Sequence, residues 1–394
     1  MIRLAWRYLW SQPLTAGLNL LLMTLGLAAM SLVLLVSEQL DAGMRRDLAG
    51  VDLVVGAKGS PMQLILAAVF HLDTPTGNVP ATVLDTLRAH PLVRQAVPLA
   101  LGDSVQGFRV VGTDPGYLDL YGARLARGQA WQQPMQAVLG AEVARRTGLD
   151  LGAEFAGSHG LGEGGAHHDE HHYQVVGVLA PTGGVIDRLV LTDLASVWAL
   201  HEDHAQPAAE ARPHEITAVL LSYRSPLAAV SLPRWVNAQD ALQAASPALE
   251  TARLMRMVGV GEEVLRGFGW VLMAAAGLSV GVALLHAVRA RQPDLAMLRM
   301  LGAPPRRVAL LVLAEALCLA VLGAVLGLLA GHLAAEGIGQ LLAARHSVRL
   351  TGQWFSAAEL QVVGLALTAA ALAAGWPAWR AYRLDVTQLL QAPR

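Results

Sequence analysis

The chain has 394 residues, of which 54% are hydrophobic and 15% charged, with a net charge of −1. An average globular chain is about 25% charged, so the deficit points to a membrane protein. Balanced charge removes the basic footprint of a nucleic-acid binder, and a single cysteine, Cys318, excludes a disulfide framework or a cysteine-built zinc site.

Residues 1–13 contain IRLAWRYLW, which mixes Arg3 and Arg7 with Trp6, Tyr8 and Trp10. That pattern predicts a cytoplasmic amphipathic helix lying at the membrane interface. Residues 14–36 form a charge-free apolar run. The run is longer than the roughly 7–15 residues of a signal-peptide core and is followed by no A-x-A-like site, so it reads as a permanent anchor.

From 37 to 266 the composition turns polar. SEQLDAGMRRDLAG has helical spacing and would extend the first span outward. VDLVVGA, FRVVGT, YQVVGVL, RLVLTD and ITAVLLSY read as strands, and ATVLDTLRAH, AEVARRTGL and LASVWALHEDH as helices. Turn signals at Thr76-Gly77-Asn78, Asp114-Pro115-Gly116 and Pro181-Thr182-Gly183-Gly184 punctuate them. The expectation is a mixed α+β domain of two subdomains, followed by a long amphipathic stretch, NAQDALQAASPALETARLMRMV.

Three further apolar runs are long enough to cross a bilayer, at 267–288, 308–334 and 361–379. The chain therefore reads as a polytopic α-helical membrane protein with four transmembrane helices and a large α+β extracytoplasmic domain between helices one and two. The connection 289–307 holds Arg289, Arg291, Arg299, Arg306 and Arg307, and the tail 380–394 holds Arg380, Arg383 and Arg394. The connection 335–360 has only Arg345 and Arg349, with Glu336 and Glu359 nearby. The excess of arginine places both termini and the 289–307 connection in the cytoplasm.

Most catalytic motifs are absent. GLGEGG at 160–165 spells a dinucleotide fingerprint, but HHDEHH and a strand follow it instead of the helix that would aim amides at phosphate. GAKGS at 56–60 lacks Walker A spacing, and no G-x-S-x-G or H-E-x-x-H occurs. No catalytic residue is assigned, and the chain cannot bind and hydrolyse ATP through the GAKGS loop.

Four features remain. In the 289–307 connection, Pro293 suits the first turn of a short helix and Gly302 its end, with Leu295, Leu298 and Leu301 on one face. Glu315 sits about 10 Å inside the third span, within reach of Arg306 or Arg307 for an ion pair. Gly323, Gly327 and Gly331 form two overlapping G-x-x-x-G units, a helix-packing face either within the protomer or between two. Lastly, His167, His168, Asp169, Glu170, His171 and His172 follow a glycine-rich segment. They read as an exposed loop ahead of a strand: a solvated insertion, a zinc site joined by His159, His201 or His204, or a pH-responsive tract.

The stretch Asp294-Leu295-Ala296-Met297-Leu298-Arg299-Met300-Leu301-Gly302-Ala303 resembles the signature loop of the FtsX-like permeases of ABC transporters, the MacB or type VII architecture. Asp stands there for the usual Glu and Ala for the usual Gly. Glu315 with the span-three glycines, and Pro377-Ala378-Trp379-Arg380-Ala381, fit the same family. VDLVVGAKGSPMQLILAAVFHLDTPTGNV resembles a recurrent feature of one permease subgroup. The resemblance implies two paired permease chains, each recruiting a separate ATP-binding subunit through Pro293, Asp294, Leu298, Arg299, Leu301 and Gly302. Force would then pass to the periplasmic domain, which handles efflux cargo, a lipoprotein or another periplasmic partner, or a metal-linked process. A membrane-anchored metal-responsive sensor or scaffold, and a solute importer, are the competing readings.

Overall fold

The computed structural model describes residues 2–159, 167–202, 213–345 and 350–383. Helix α1 (Ile2–Leu9) precedes α2 (Pro13–Asp47). Next come β1 (Leu53–Ala57), α3 (Pro61–Ala68), β2 (Val79–Pro80), α4 (Thr82–Ala89), β3 (Val93–Val105), β4 (Phe108–Thr113), α5 (Gly116–Leu120) and β5 (Leu125–Gly128). They are followed by β6 (Gln136–Leu139), α6 (Ala141–Thr147), β7 (Glu154–His159), β8 (His167–Leu179), β9 (Leu189–Asp193), α7 (Leu194–Glu202), β10 (Glu215–Ile216), β11 (Ala218–Tyr223), α8 (Ala228–Asn237) and β12 (Leu242–Ala245). After these run α9 (Pro247–Ala290), α10 (Gln292–Met300), α11 (Pro305–Arg345) and α12 (Ala357–Tyr382).

The chain divides into two compact units, one of residues 1–41 with 257–394 and one of residues 42–256. In the first, α2, α9, α11 and α12 are each long and apolar enough to cross a membrane. They run beyond the apolar segments seen in the sequence. Span two in particular is the second half of a 44-residue helix whose first half is polar. Met23, Leu27 and Met30 of α2 pack into one core with residues of α9, α11 and α12, including Ala276, Ala320 and Ala366. Helix α1 lays Ala5, Tyr8 and Leu9 on that core and leaves Arg3, Trp6, Arg7 and Trp10 exposed, as an interfacial helix requires.

The second unit is built on a mixed ten-stranded sheet in the order β12-β1-β11-β3-β4-β9-β6-β8-β5, with β7 beside β3 and β8. Along β1, Leu53 and Val55 face one core while Val54 faces another, and β11 divides in the same way. Strands buried on both faces read as unbroken apolar runs, which explains VDLVVGA and ITAVLLSY. One face of the sheet carries a continuous core from Val54 through Val97, Val111 and Leu191 to Val138. The opposite face is split into a cluster around Val219 and Leu232 and another around Val110, Leu139 and Tyr173. The two expected subdomains are therefore one unit, whose sheet is continuous and whose outer layer is divided.

Strand β3 makes that continuity. Up to Leu99 it pairs with β11, and from Ala100 it pairs with β4. Pro98 lies at the hand-over. Its carbonyl accepts Thr113 Oγ1 at 2.7 Å, and Thr217 bridges the junction by donating its amide to Leu99 O and accepting Leu101 N. The long amphipathic stretch NAQDALQAASPALETARLMRMV divides in the structure. Its first part ends α8 and forms the edge strand β12, and the helix starts only at Pro247.

Candidate functional site

The signature-like connection folds as α10, with Pro293 in its first turn. Gly302 follows at φ +93°, a left-handed stop that glycine enters without steric cost. The face differs from the expected one. Leu295 and Ala296 are buried and Leu298 packs beside them, but Leu301 is the C-cap residue and swings out to 81% exposure. Met297 and Met300 are exposed as well, so with Pro293 and Asp294 they form an outward stripe. Arg299 is half-buried on the other side.

Arg291, the residue that opens α10, is the hub of this end of the bundle. Its guanidinium donates to Tyr8 O and Ser11 Oγ, both at 2.6 Å, and lies 4.5 Å from the centre of the Tyr8 ring. It also pairs with Glu315 at 3.2 Å. Glu315 is thus held by Arg291 and not by Arg306 or Arg307, which are exposed. Arg306 and Arg307 lie in the first turn of α11 itself, about 12–13 Å before Glu315 along the helix, while Arg291 reaches it from the junction of α9 and α10. One planar fork serves a carboxylate, a carbonyl, a hydroxyl and an aromatic face, which lysine cannot do. In the sequence, Arg291 was one arginine among five.

The glycines of α11 pack against α2 within the chain. A Cβ on Gly323 would stand 2.8 Å from Met23 Cβ, one on Gly327 2.6 Å from Leu27 Cβ, and one on Gly331 2.8 Å from Ser31 Oγ. The two helices therefore meet at four-residue intervals, with bare backbone on one side.

In the sheet unit, His167–His172 is not a loop. It is the first part of β8, registered on β7 with Ser158 opposite His167 and Ala156 opposite His172. A strand sets residues four apart about 13 Å from each other along the backbone, where a helix would bring them within about 6 Å. His159 ends β7 opposite Asp103, and His201 lies within α7. His204 and the glycine-rich 160–166 lie outside the described residues. Among the described residues, no group of three His, Cys, Asp or Glu is arranged to hold a metal ion.

GAKGS proves to be the end of β1 and the bend that follows it. Lys58 donates to Asn237 O at 3.2 Å at the end of α8, and Ser60 caps α3. Behind it, His71 is buried with Nε2 3.2 Å from the Tyr117 hydroxyl. Burial, reinforced by Arg109 and Arg188, pushes the imidazole down to about 3, and burial raises Tyr117 and Tyr121. These groups are neutral and interior, and they serve packing.

The sequence matches the model of the MacB-like periplasmic core domain over residues 16–233 and that of the FtsX-like permease C-terminal region over 266–386. Four spans, a sheet domain inserted after the first and a helical connection between the second and third define a permease subunit of an ABC transporter. The chain belongs to the MacB-type, FtsX-like permease family. Its fold is similar to the crystal structure of the periplasmic region of MacB from Actinobacillus actinomycetemcomitans, with 12% identity, TM-score 0.36, and coverage of 52% of this chain and 95% of that one. It is also similar to the extracellular domain of the noncanonic ABC-type transporter YknZ from Gram-positive bacteria, with 13% identity, TM-score 0.33, and coverage of 50% and 99%. A search of the curated proteins found no match.

Proposed function

We propose that this chain transmits force across the bacterial inner membrane for a separate ATP-binding subunit, with both termini and α10 in the cytoplasm and the sheet domain in the periplasm. ATP is bound and hydrolysed by the partner. The chain supplies the docking helix and the moving parts, and works as a pair of permease copies. The periplasmic domain then acts on a protein or lipoprotein partner.

The observation that carries this reading is α10. Its outward stripe of Met297, Met300 and Leu301 is adaptable apolar surface beside the charged Asp294, the composition of a protein-docking site. Its inward side is anchored by Arg291 to α1 and to Glu315. A push on α10 is therefore received by three helices at once. Helices α2 and α9 each continue from the membrane unit into the sheet unit, which gives such a push a covalent route.

Copurification of the full chain with an ABC ATP-binding subunit from the same genome tests this. Met297→Asp combined with Leu301→Asp is expected to weaken the association about tenfold or more. The protein should stay folded, because both side chains are exposed. Association and coupled ATPase activity unchanged by the pair would refute the placement of the contact.

A further inference from the structure

Strand β3 keeps one edge open before its change of partner. From Ala100 it pairs with β4, but among the described residues its first part, 93–97, pairs with β11 alone. The amide of Asp52 donates to Leu221 O, so Leu221 turns its backbone toward β1. Ala96, opposite Leu221, therefore turns its N–H and C=O away from β11, to the open side. Its carbonyl is met there by Arg88 Nε at 3.4 Å.

A cleft of about 430 Å³ runs along this open edge. Arg88, in the last turn of α4, walls one side, and the Asp114–Gly116 turn walls the other. Arg88 Nη2 pairs with Asp114 Oδ2. Gly116 donates its amide to Asp114 Oδ1 at 2.9 Å, and Gln95 Nε2 donates to Gly116 O at 3.0 Å. A Cβ on Gly116 would stand 2.8 Å from Asp114 Oδ1, so the turn closes this tightly only on glycine. The walls are thus set by the fold, before any ligand arrives.

Arg94 reaches the cleft from a bulge. Ser222 pairs with Gln95 and Tyr223 with Val93, so β11 takes one step where β3 takes two. Arg94 is the extra residue, and bulges re-aim side chains in this way. It is exposed, lines the cleft and forms no ion pair among the described residues. Arg88 and Asp114 cancel, which leaves the lining the single positive charge of Arg94. Val93, Val97 and Pro115 add apolar atoms. Burial raises Asp114 even against the pull of Arg88, a sign of thin hydration, in which charge pairing gains strength.

We infer that this cleft binds the carboxylate end of an extended peptide whose last residue is apolar. The Arg94 guanidinium takes the carboxylate through two parallel N–H···O bonds. The Ala96 amide donates to a peptide carbonyl, as an added strand requires, and the apolar lining receives the last side chain. A phosphate ester carries close to two charges and exceeds the one on offer. Ligand sites span roughly 300–1,000 Å³, and this cleft lies at the small end, which suits a chain end and not a folded surface. The inference rests on the reading that the sheet domain acts on a protein partner, and it names the part of that partner recognised.

The test uses the full chain in nanodiscs of neutral lipid and the probe fluorescein-Gly-Gly-Leu-Leu, read by fluorescence anisotropy. The free acid should bind about tenfold or more tightly than its C-terminal amide. Arg94→Gln should bring the acid down to the level of the amide. Arg145→Gln removes the same charge from the exposed surface of α6 and should leave the preference intact. Equal binding of acid and amide by the wild type, including no binding of either at millimolar concentration, would overturn the site. So would a preference that survives Arg94→Gln, or one that Arg145→Gln removes equally. No ATPase takes part, so a failure here leaves the α10 contact standing, and a failure of α10 docking leaves peptide capture to be measured by itself.

Discussion

Replacing Gly327 by alanine probes the closest approach in the membrane unit. The new Cβ would stand 2.6 Å from Leu27 Cβ and 3.1 Å from Thr24 O, where ordinary contacts lie at 3.4–4 Å. Neither atom is the free end of a flexible side chain, so α2 and α11 must part by most of an ångström. Overpacking of this kind costs about 1–3 kcal/mol, offset by the roughly 0.5–1 kcal/mol that alanine gains over glycine inside a helix. Gly337 is the internal control: it lies on the same helix, and nothing is within 4 Å of its Cβ position. Gly337→Ala should therefore stabilise by about 0.5–1 kcal/mol, leaving the two variants about 2 kcal/mol apart. Unfolding of the purified chain in mixed micelles, titrated with SDS and followed by circular dichroism, measures the difference. If Gly327→Ala is as stable as Gly337→Ala, the glycine face does not pack on α2 as described.

Arg291→Ala removes the partner of a buried Glu315 and should cost about 3–5 kcal/mol. Arg291→Lys should keep much of the charge pairing yet release α1, seen as faster amide exchange over residues 2–9. Unchanged exchange there would remove Arg291 as the anchor. In the sheet unit, the buried His71 is pushed down to about 3, below its unfolded value of ~6.5, so the folded state binds fewer protons. Its contribution is complete above pH ~6.5 and is lost as pH falls from there toward 3, by up to about 1.4 kcal/mol per pH unit. His71→Asn, which tolerates the residue's φ of +54°, should flatten that acid slope in amide-exchange measurements on the full chain. An unchanged slope would contradict a neutral buried imidazole.

The membrane unit was the more legible half of the sequence, because apolar runs of bilayer length have few alternatives. Continuous apolar strands such as β1 and β11 were legible for a similar reason. Strand β3 was not: Pro98 and Gly102 argue against a central strand, and only the change of partner from β11 to β4 explains a proline there. The histidine tract misled through its glycine neighbours, since its strand conformation comes from pairing with β7, a non-local fact. The roles of Arg291 and Glu359 were hidden for the same cause. Each is one charged residue near a helix end, and its meaning comes from Tyr8 or Ser31, about 280 and 328 residues away in sequence.

These contacts attach the two helices that lead into the sheet unit differently. Helix α2 meets α11 at three successive glycines, is tied to the 350–356 connection through Gln39 and Thr351, and reaches α12 through Ser31 and Glu359. Those ties run along much of its apolar length, so α2 resists sliding along its axis. Helix α9 approaches α12 at Gly281, where a Cβ would stand 3.1 Å from Ala373 O, and touches α2 at Gly26 at ordinary contact distance. At its end it turns directly into Arg291 and α10. If the chain transmits force as proposed, a displacement of α10 acts first on α9 and on the Arg291 hub, while α2 is braced against α11. Asn19 of α2 also accepts Ser279 Oγ of α9 at 2.6 Å, so inside the bundle a motion of α9 reaches α2 through that bond as well.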